Sequence, residues 1–255
     1  MDKRILKYYI KNRPFFIALV RSQEVTLFKK NAFIKNKVLD FGCGDGFFLQ
    51  TLHKYASTIF RQTKIIGLDI SNQALAEAKE LNTVYENLLS YNGINIHFKE
   101  NSFDTVFSNC VFEHLPYIND NLAELCRVLK PGGKLYTTVM TDCWENYLTL
   151  SKSFWRKIQD HCNLLSKKEW EDLFQKKGFK MKNQIGYLNK EQTRLIEWSH
   201  FISLPYLISK KLVNDWSRPG SLYLKLLPID KIAKQMSISP SLEESAAIFF
   251  ELEKL

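Results

Sequence analysis

The stretch Asp40-Phe41-Gly42-Cys43-Gly44-Asp45-Gly46 constrains this chain more than any other. It follows Lys37–Phe41, whose Val-Leu-Asp-Phe run reads as a short buried strand. It precedes Phe47–Ala56, where Phe48, Leu49, Leu52 and Tyr55 recur at helical spacing. Glycines between a strand and a helix allow positive φ and let the backbone approach a ligand closely. The helix that follows points free N–H groups at whatever lies in the turn. Lys64–Ile70 (KIIGLDI) is a second strand, with Asp69 at its end, a carboxylate placed to accept hydrogen bonds from ribose hydroxyls. Strand, glycine turn, helix and an acid ending the next strand together read as a nucleoside-binding switch point.

The rest of the chain continues the alternation. Ser71 caps a helix through Glu80, Val84–Leu89 is a third strand and Phe103–Asn109 a fourth. Leu122–Leu129 is helical, Pro131-Gly132-Gly133 is a turn, and Lys134–Met140 is a fifth strand. Ser166–Lys177 carries a capping box, Ser166 with Glu169, and Gly178 ends that helix. Phe179–Leu188 reads as a strand, and Ala246–Glu253 as a last strand or a short helix. The expected fold class is α/β: a doubly wound, mostly parallel seven-stranded sheet with right-handed crossovers. Residues 2–35 are helical, with Pro14 opening a second helix. Residues 190–240 are helical and apolar-rich, broken at Pro205, Pro219-Gly220 and Pro228. This divides the chain into an N-terminal helical segment (1–36), a core (37–189 plus 241–255) and a helical lid or insert (190–240).

The glycine spacing is G-x-G-x-G, not the dinucleotide G-x-G-x-x-G, and Asp40 stands two residues before the first glycine. An acid there disfavours a pyrophosphate and favours a ligand with an ammonium group, and S-adenosylmethionine has a cationic amino-acid end plus a ribose. Val38–Gly46 resembles the first motif of class I S-adenosylmethionine-dependent methyltransferases, within them the broad type 11 set. Gly67-Leu68-Asp69-Ile70-Ser71 is similar to the family's ribose-binding strand end. Asn101–Asn109 resembles its fourth strand, Val111–Leu115 the segment after it, and Leu129–Leu135 the turn into its fifth strand.

The resemblance implies roles at matching positions. Asp40 and the backbone of Gly42, Cys43, Gly44 and Gly46 would hold the methionine end of the cofactor, S-adenosylmethionine. Asp69, with Ile70 beside it, would bind the ribose. Asn92, followed by Gly93, stands where the family usually has an Asp for the adenine amino group, and an Asn carbonyl can accept that hydrogen bond. Asn109 and Cys110 would face the sulfonium.

Methyl transfer is an in-line displacement, so alignment and exclusion of water come first. A base is needed only when the nucleophile must lose a proton. His114 and Glu113 are the nearest titratable pair and the candidate catalytic residues. The alternative is that Glu113 favours a helix's first turn electrostatically and His114 packs beside the cofactor. His161 and His200 are further candidates. Ser108-Asn109-Cys110-Val111 lacks the Asn/Asp-Pro-Pro-aromatic run of enzymes that methylate exocyclic amines of DNA bases, and Cys110 has no preceding Pro of the cytosine C5 type. No basic motif with interleaved aromatics forms an RNA platform. The apolar insert, with Trp198, His200, Phe201, Tyr206, Trp216 and Tyr223, is suited to cover an organic substrate, or to dock on a membrane face or partner. The expectation is methylation of a small molecule, commonly O-methylation, of a sugar, a lipid-linked or another metabolite. The alternatives are an RNA or protein methyltransferase docking through basic N-terminal helices, and a non-catalytic cofactor-binding module.

Composition bears on the partners. The 255 residues carry 36 Lys+Arg against 27 Asp+Glu. Residues 1–35 hold nine basic and two acidic residues, residues 190–240 eight and four, and the remainder has a slight excess of acid. The positive charge therefore flanks the motif-bearing middle, which points to an anionic substrate, an acidic partner or a membrane surface more than to nucleic acid. Five scattered cysteines without a C-x-x-C disfavour a disulfide framework and fit a reducing, cytoplasmic location. The basic N-terminus lacks the apolar run and cleavage site of a signal peptide. No run approaches the ~18 apolar residues of a membrane span, which leaves only peripheral membrane contact. No acidic cluster near the fourth strand marks a metal site.

Overall fold

The computed structural model describes residues 1–81, 84–150, 159–213 and 217–255. Two helices, α1 (Lys3–Asn12) and α2 (Phe15–Asn31), lead into β1 (Ile34–Phe41). Then come α3 (Phe47–Ala56), β2 (Phe60–Asp69), α4 (Asn72–Glu80), β3 (Tyr85–Ser90), β4 (Phe103–Asn109), α5 (Ile118–Val128) and β5 (Leu129–Met140). They are followed by α6 (Asp142–Tyr147), α7 (Lys167–Lys176) and β6 (Phe179–Tyr187). Last are α8 (Lys190–Ile202), α9 (Leu204–Val213), α10 (Ser217–Leu226), α11 (Ile229–Gln235) and β7 (Ala247–Lys254). The seven strands form one sheet in the order β3-β2-β1-β4-β5-β7-β6. The first five are parallel, and β7 runs antiparallel between β5 and β6.

Side chains alternate along a strand, and each strand feeds two layers. Val38, Ile65, Phe107, Tyr136 and Phe249 point to one face, among α1, α2, α3 and the helices of the insert. Their neighbours Leu39, Ile66, Val106, Leu135 and Phe250 point to the other, where α5 and α7 bring Leu122, Leu125, Trp170 and Phe174. The Ala-Ile-Phe-Phe run of β7 is fully buried on both faces, which only a strand inside the sheet can satisfy. That settles the segment left open between strand and helix.

The local signals hold where a capping or turn residue drives them. Pro14 precedes α2, Ser71 accepts a hydrogen bond from the Ala74 N–H, and Ser166 with Glu169 forms the capping box of α7. Several boundaries differ, among them β2, which begins at Phe60 and not at Lys64. β1 begins at Ile34, which is buried and pairs with Phe60. α5 begins at Ile118, one turn ahead of its most regular apolar stripe. β5 begins at Leu129, paired with Phe103. Pro131-Gly132-Gly133 is thus an irregularity inside the strand, with Gly132 at φ 71°, and not a turn before it.

The N-terminal helices and the insert meet on one face. The Tyr206 hydroxyl on α9 donates to the Ile10 carbonyl at 2.6 Å, and a Cβ on Gly220 of α10 would stand 2.5 Å from the Ile10 and Lys11 carbonyl oxygens. α10 therefore lies directly on the end of α1. Trp216, counted with the insert in the sequence, lies outside the described residues.

Candidate active site

The loops after β1, β2, β3 and β4 converge at one end of the sheet. Gly42, Gly44 and Gly46 have φ of 73°, 55° and 74°, a region open to glycine at little cost. Gly42 also has no room: a Cβ there would stand 2.4 Å from a Val111 methyl. Its N–H donates to the Leu68 carbonyl at 2.8 Å, which ties the turn to β2. Asp69 at the end of β2 accepts the Gly44 N–H on Oδ2 at 2.8 Å and the Ser71 N–H on Oδ1 at 2.9 Å. Each oxygen keeps a lone pair for a further donor.

Asp69 lies in a cleft of about 570 Å³ whose walls include Gly42, Ile70, Asn92, Gly93 and Cys110. The Ile70 side chain is 61% exposed at its lip, an apolar surface for a flat ring to cover. A second cleft of about 210 Å³ shares Gly42 and Cys110 with it and takes in Asp40, Cys43, Gly44 and Asn109. Asp40 is buried, and the Tyr85 hydroxyl donates to its Oδ2. Burial pushes its pKa up to about 8; the Tyr85 hydrogen bond partly opposes this, and the Asp69 charge adds to it.

Three expected contacts take a different form. Gly46 lines neither cleft; its left-handed turn starts α3, with its N–H on the Cys43 carbonyl. Asn92 lines the first cleft, but its side-chain carbonyl already accepts the N–H groups of Ile94 and Asn95 at 3.1 and 2.8 Å. With both lone pairs taken inside its own turn, it has none for an adenine amino group. Asn109 borders the second cleft, but its polar atoms are engaged by the protein: its amide donates to Glu24, and its carbonyl accepts from the Thr138 hydroxyl at 2.9 Å.

Glu24 is the residue that sequence reasoning missed. It comes from α2 and is fully buried. One oxygen accepts from Arg21 at 2.7 Å and Asn109 at 2.8 Å; the other accepts from Cys110 Sγ at 3.0 Å and the Tyr187 hydroxyl at 2.9 Å. Cys110 is held in a left-handed conformation, φ 50°, with its N–H shared between the Thr138 carbonyl and hydroxyl. Burial pushes its pKa well up, with Glu24 adding, so it is a thiol and not a nucleophile. α1 contributes as well: Arg13 pairs with Asp45 of the glycine turn and lies over the Phe47 ring.

Beyond Cys110 is a third cavity of about 290 Å³. α2 supplies Phe16, Ile17, Val20 and Arg21; Met140, Trp144 and Ile196 complete its apolar walls. Glu113, His114, His161 and His200 stand around it. His114 also borders the first cleft, whereas Glu113 lines this cavity alone of the three. His114 Nδ1 is 3.2 Å from the Asp160 carbonyl, and its ring is 4.9 Å from that of His161. Burial, with the His114 charge beside it, lowers His161 to about 4, and burial lowers His200, which stacks on Phe16 at 3.9 Å. Both are neutral at pH 7. Glu113 lies in a single turn of 3-10 helix, Phe112–His114, and is fully buried. Neither of its carboxyl oxygens has a hydrogen-bond partner among the described residues. Burial raises its pKa; the His114 and Arg21 charges oppose the rise, as do its own backbone N–H and the Cys110 thiol, which lie near the carboxyl outside ordinary hydrogen-bond geometry.

Residues 39–137 match the methyltransferase domain family model. Over these residues the chain carries a methyltransferase domain of the class I S-adenosylmethionine-dependent type. It is 25% identical over 183 residues to the ubiquinone biosynthesis O-methyltransferase of Nitrosococcus oceani, covering 67% of this chain and 75% of that protein. It is 31% identical over 144 residues to the sterol 24-C-methyltransferase of Candida albicans, covering 54% and 37%. An S-adenosylmethionine-dependent methyltransferase from Mesorhizobium loti shares the fold, with a TM-score of 0.56, 12% identity and coverage of 92% and 97%. The chain spans between about a quarter and two fifths of the length of several curated relatives it matches.

The residues present fit the family's cofactor, S-adenosylmethionine. Asp40 is a buried carboxyl with the Tyr85 hydroxyl as donor, at the wall of the second cleft, where an ammonium group would favour its charged form. A Cβ on Gly44 would meet nothing within 4 Å, so the space beside it is left for a ligand. Asp69 retains acceptor capacity for two hydroxyls, and Ile70 and Gly93 edge the same cleft. Asp40 would then hold the amino-acid end and Asp69 the ribose.

Proposed function

We propose that this methyltransferase transfers a methyl group to the hydroxyl oxygen of a small, mostly apolar organic acceptor, with Glu113 as general base. When bound, S-adenosylmethionine supplies an electrophilic methyl group on a sulfonium. The observation that carries the reading is the Glu113 carboxyl: fully buried, without a hydrogen bond of ordinary length and angle among the described residues, and grouped with Arg21, His114 and Cys110 at the acceptor cavity. A carboxyl raised above its ordinary range is a stronger base than a solvated one and accepts the proton that a hydroxyl must lose as it is methylated. Phe16, Ile17 and Val20 of α2 and Ile196 of α8 line the cavity with apolar surface, which disfavours water beside the reacting groups.

The walls favour an apolar body over a sugar, whose hydroxyls would find few partners along Phe16, Ile17, Val20, Met140, Trp144 and Ile196. A cavity of about 290 Å³ is small for a nucleotide embedded in RNA. Of the N-terminal cations, Arg13 and Arg21 are committed to Asp45 and Glu24 inside the site, which removes them from an RNA-docking surface. The five cysteines are free thiols, as fits a cytoplasmic protein.

The test is turnover with a panel of small phenols, alcohols and carboxylic acids. Glu113→Gln is expected to lower kcat by about 10²–10⁴ with unchanged affinity for S-adenosylhomocysteine. Full activity in Glu113→Gln removes the base; preference for amines over hydroxyls replaces oxygen with nitrogen as the acceptor atom.

A further inference from the structure

Fifteen large apolar side chains are exposed among the described residues, and nine lie between Trp198 and Leu226. That concentration sets them apart from the scattered exposed side chains normal on a soluble surface. On α9, Leu204, Leu207, Ile208 and Leu212 fall at helical spacing on one outward face. At the end of α8, Trp198, Phe201 and Ile202 turn outward, with the Trp198 and Phe201 rings 5.7 Å apart. On α10, Leu222 and Leu226 do the same.

The three helices present these residues side by side. Tyr206 and Tyr223 stack at 5.1 Å between α9 and α10, and the Tyr223 hydroxyl donates to the Ile202 carbonyl at the end of α8. The inward faces are thereby occupied, and the leucines and isoleucines are left on the outer one.

The charge around this surface is mostly positive, with Asp215 between α9 and α10 and Asp230 after α10 as the acids nearest to it in sequence. Residues 198–213 and 217–229 contain lysines and one arginine but no acid. Lys211 and Lys225 are exposed, and α1, which packs against α10, adds the exposed Lys7 and Lys11. Large apolar side chains rimmed by cations match a bilayer with anionic headgroups: the chains bury in the acyl boundary while the cations meet phosphate. A second copy of this chain would bring the same cations against each other.

The surface is continuous with the acceptor cavity. On α8, Ile196 and His200 line the cavity on one side, and Trp198, Phe201 and Ile202 face out on the other. The start of α2 is tied to the corner between α8 and α9 by the Phe16 N–H on the Ser203 hydroxyl and by the Phe16–His200 stack.

We propose that the outer face of α8, α9 and α10 docks on a membrane with anionic headgroups, and that the apolar acceptor reaches the cavity from that bilayer. The second half rests on the small-molecule reading given above; the docking itself does not. The full chain is sedimented with vesicles of phosphatidylcholine containing about 30 mol % phosphatidylglycerol, and with phosphatidylcholine alone. Binding to the anionic vesicles is expected, weakening with salt. Leu207→Asp with Ile208→Asp is expected to reduce it by about tenfold or more. Lys211→Glu with Lys225→Glu should remove the preference for anionic lipid. Affinity for S-adenosylhomocysteine is measured on each variant and should not change, which separates docking from folding. Docking without any methyl transfer would leave the surface standing and sink the acceptor reading. No binding to anionic vesicles, equal binding after Leu207→Asp and Ile208→Asp, or a dimer broken by those changes in a chain that ignores vesicles would overturn the proposal.

Discussion

Glu24 on α2 accepts a hydrogen bond at 2.8 Å from Asn109 at the end of β4, across 85 residues of chain. The bond makes a helix that precedes the sheet part of the site. A fully buried carboxylate is tolerable only because Arg21, Asn109, Cys110 and Tyr187 surround it with donors. Glu24→Gln keeps the shape but replaces an acceptor oxygen with an NH₂ facing donors. Breaking a fully buried pair costs about 3–5 kcal/mol; Arg21 keeps 29% of its side chain exposed, so about 2–3 kcal/mol is expected from urea unfolding. The same variant should slow methyl transfer, because Asn109 and Cys110 lose their anchor in the wall of the second cleft. A loss of stability below about 0.5 kcal/mol would mean that the charge of Glu24 is dispensable.

Asp40 makes cofactor binding depend on pH. Its pKa is pushed up to about 8, chiefly by burial, so below that pH the carboxyl is neutral in the ligand-free protein. An ammonium group favours the charged form, and binding must expel a proton. Affinity for S-adenosylhomocysteine is therefore expected to rise with pH, by up to about tenfold per unit between pH 6 and 7.5. For folding the sign is opposite: the raised acid adds stability below the unfolded pKa near 4 and loses it as pH rises through about 8. Calorimetry in buffers of different ionisation enthalpy should register proton release at pH 7, and Asp40→Asn should flatten the profile. A profile equally flat in the parent protein would remove Asp40 from the ammonium site.

Asp69 carries two loads. It fixes the glycine turn through the Gly44 N–H and the following helix through the Ser71 N–H, and it keeps lone pairs for ribose hydroxyls. Hydrogen bonds to a charged group are worth about 1.5–3 kcal/mol each, so Asp69→Ala is expected to weaken S-adenosylhomocysteine binding by at least about tenfold to a hundredfold. The comparison with 5′-deoxy-5′-methylthioadenosine is diagnostic. That ligand has the ribose but no amino-acid end, so it should lose affinity in Asp69→Ala and be indifferent to Asp40→Asn. Equal losses for both ligands in both variants would mean that the turn has collapsed as a whole.

What the sequence made legible is local. The glycine turn, Asp69 at its strand end and the caps at Ser71 and Ser166 each depend on neighbours a few residues away, and all were readable from order and spacing. The contacts to Glu24 span up to 163 residues, and no spacing rule connects α2 with Tyr187. One signal did exist: Val20, Glu24 and Phe28 lie four apart and are all buried, so an acid stands on the apolar stripe of a helix. Such an acid demands partners, though the sequence does not name them. Asn92 misled for the opposite reason. Its alignment with an adenine-binding position ignored the tendency of Asn to hydrogen-bond the backbone two residues on, which is what it does with Ile94.

Gly42 is doubly constrained, and the two constraints can be separated. Its φ of 73° costs any other residue about 1–2 kcal/mol. Independently, a Cβ would stand 2.4 Å from Val111 Cγ2 and 2.7 Å from Cγ1. Gly42→Ala should therefore lose more stability than backbone strain alone explains, and should weaken cofactor binding by pushing the turn off Val111. Val111→Ala removes both clashing methyl groups but leaves the φ penalty. In the double variant the clash should be relieved by about 1 kcal/mol relative to the sum of the single changes, while the strain persists. Urea unfolding of the four proteins measures this coupling. Strict additivity would show that the turn and the segment after β4 do not press on one another, and would leave φ as the whole reason for glycine at this position.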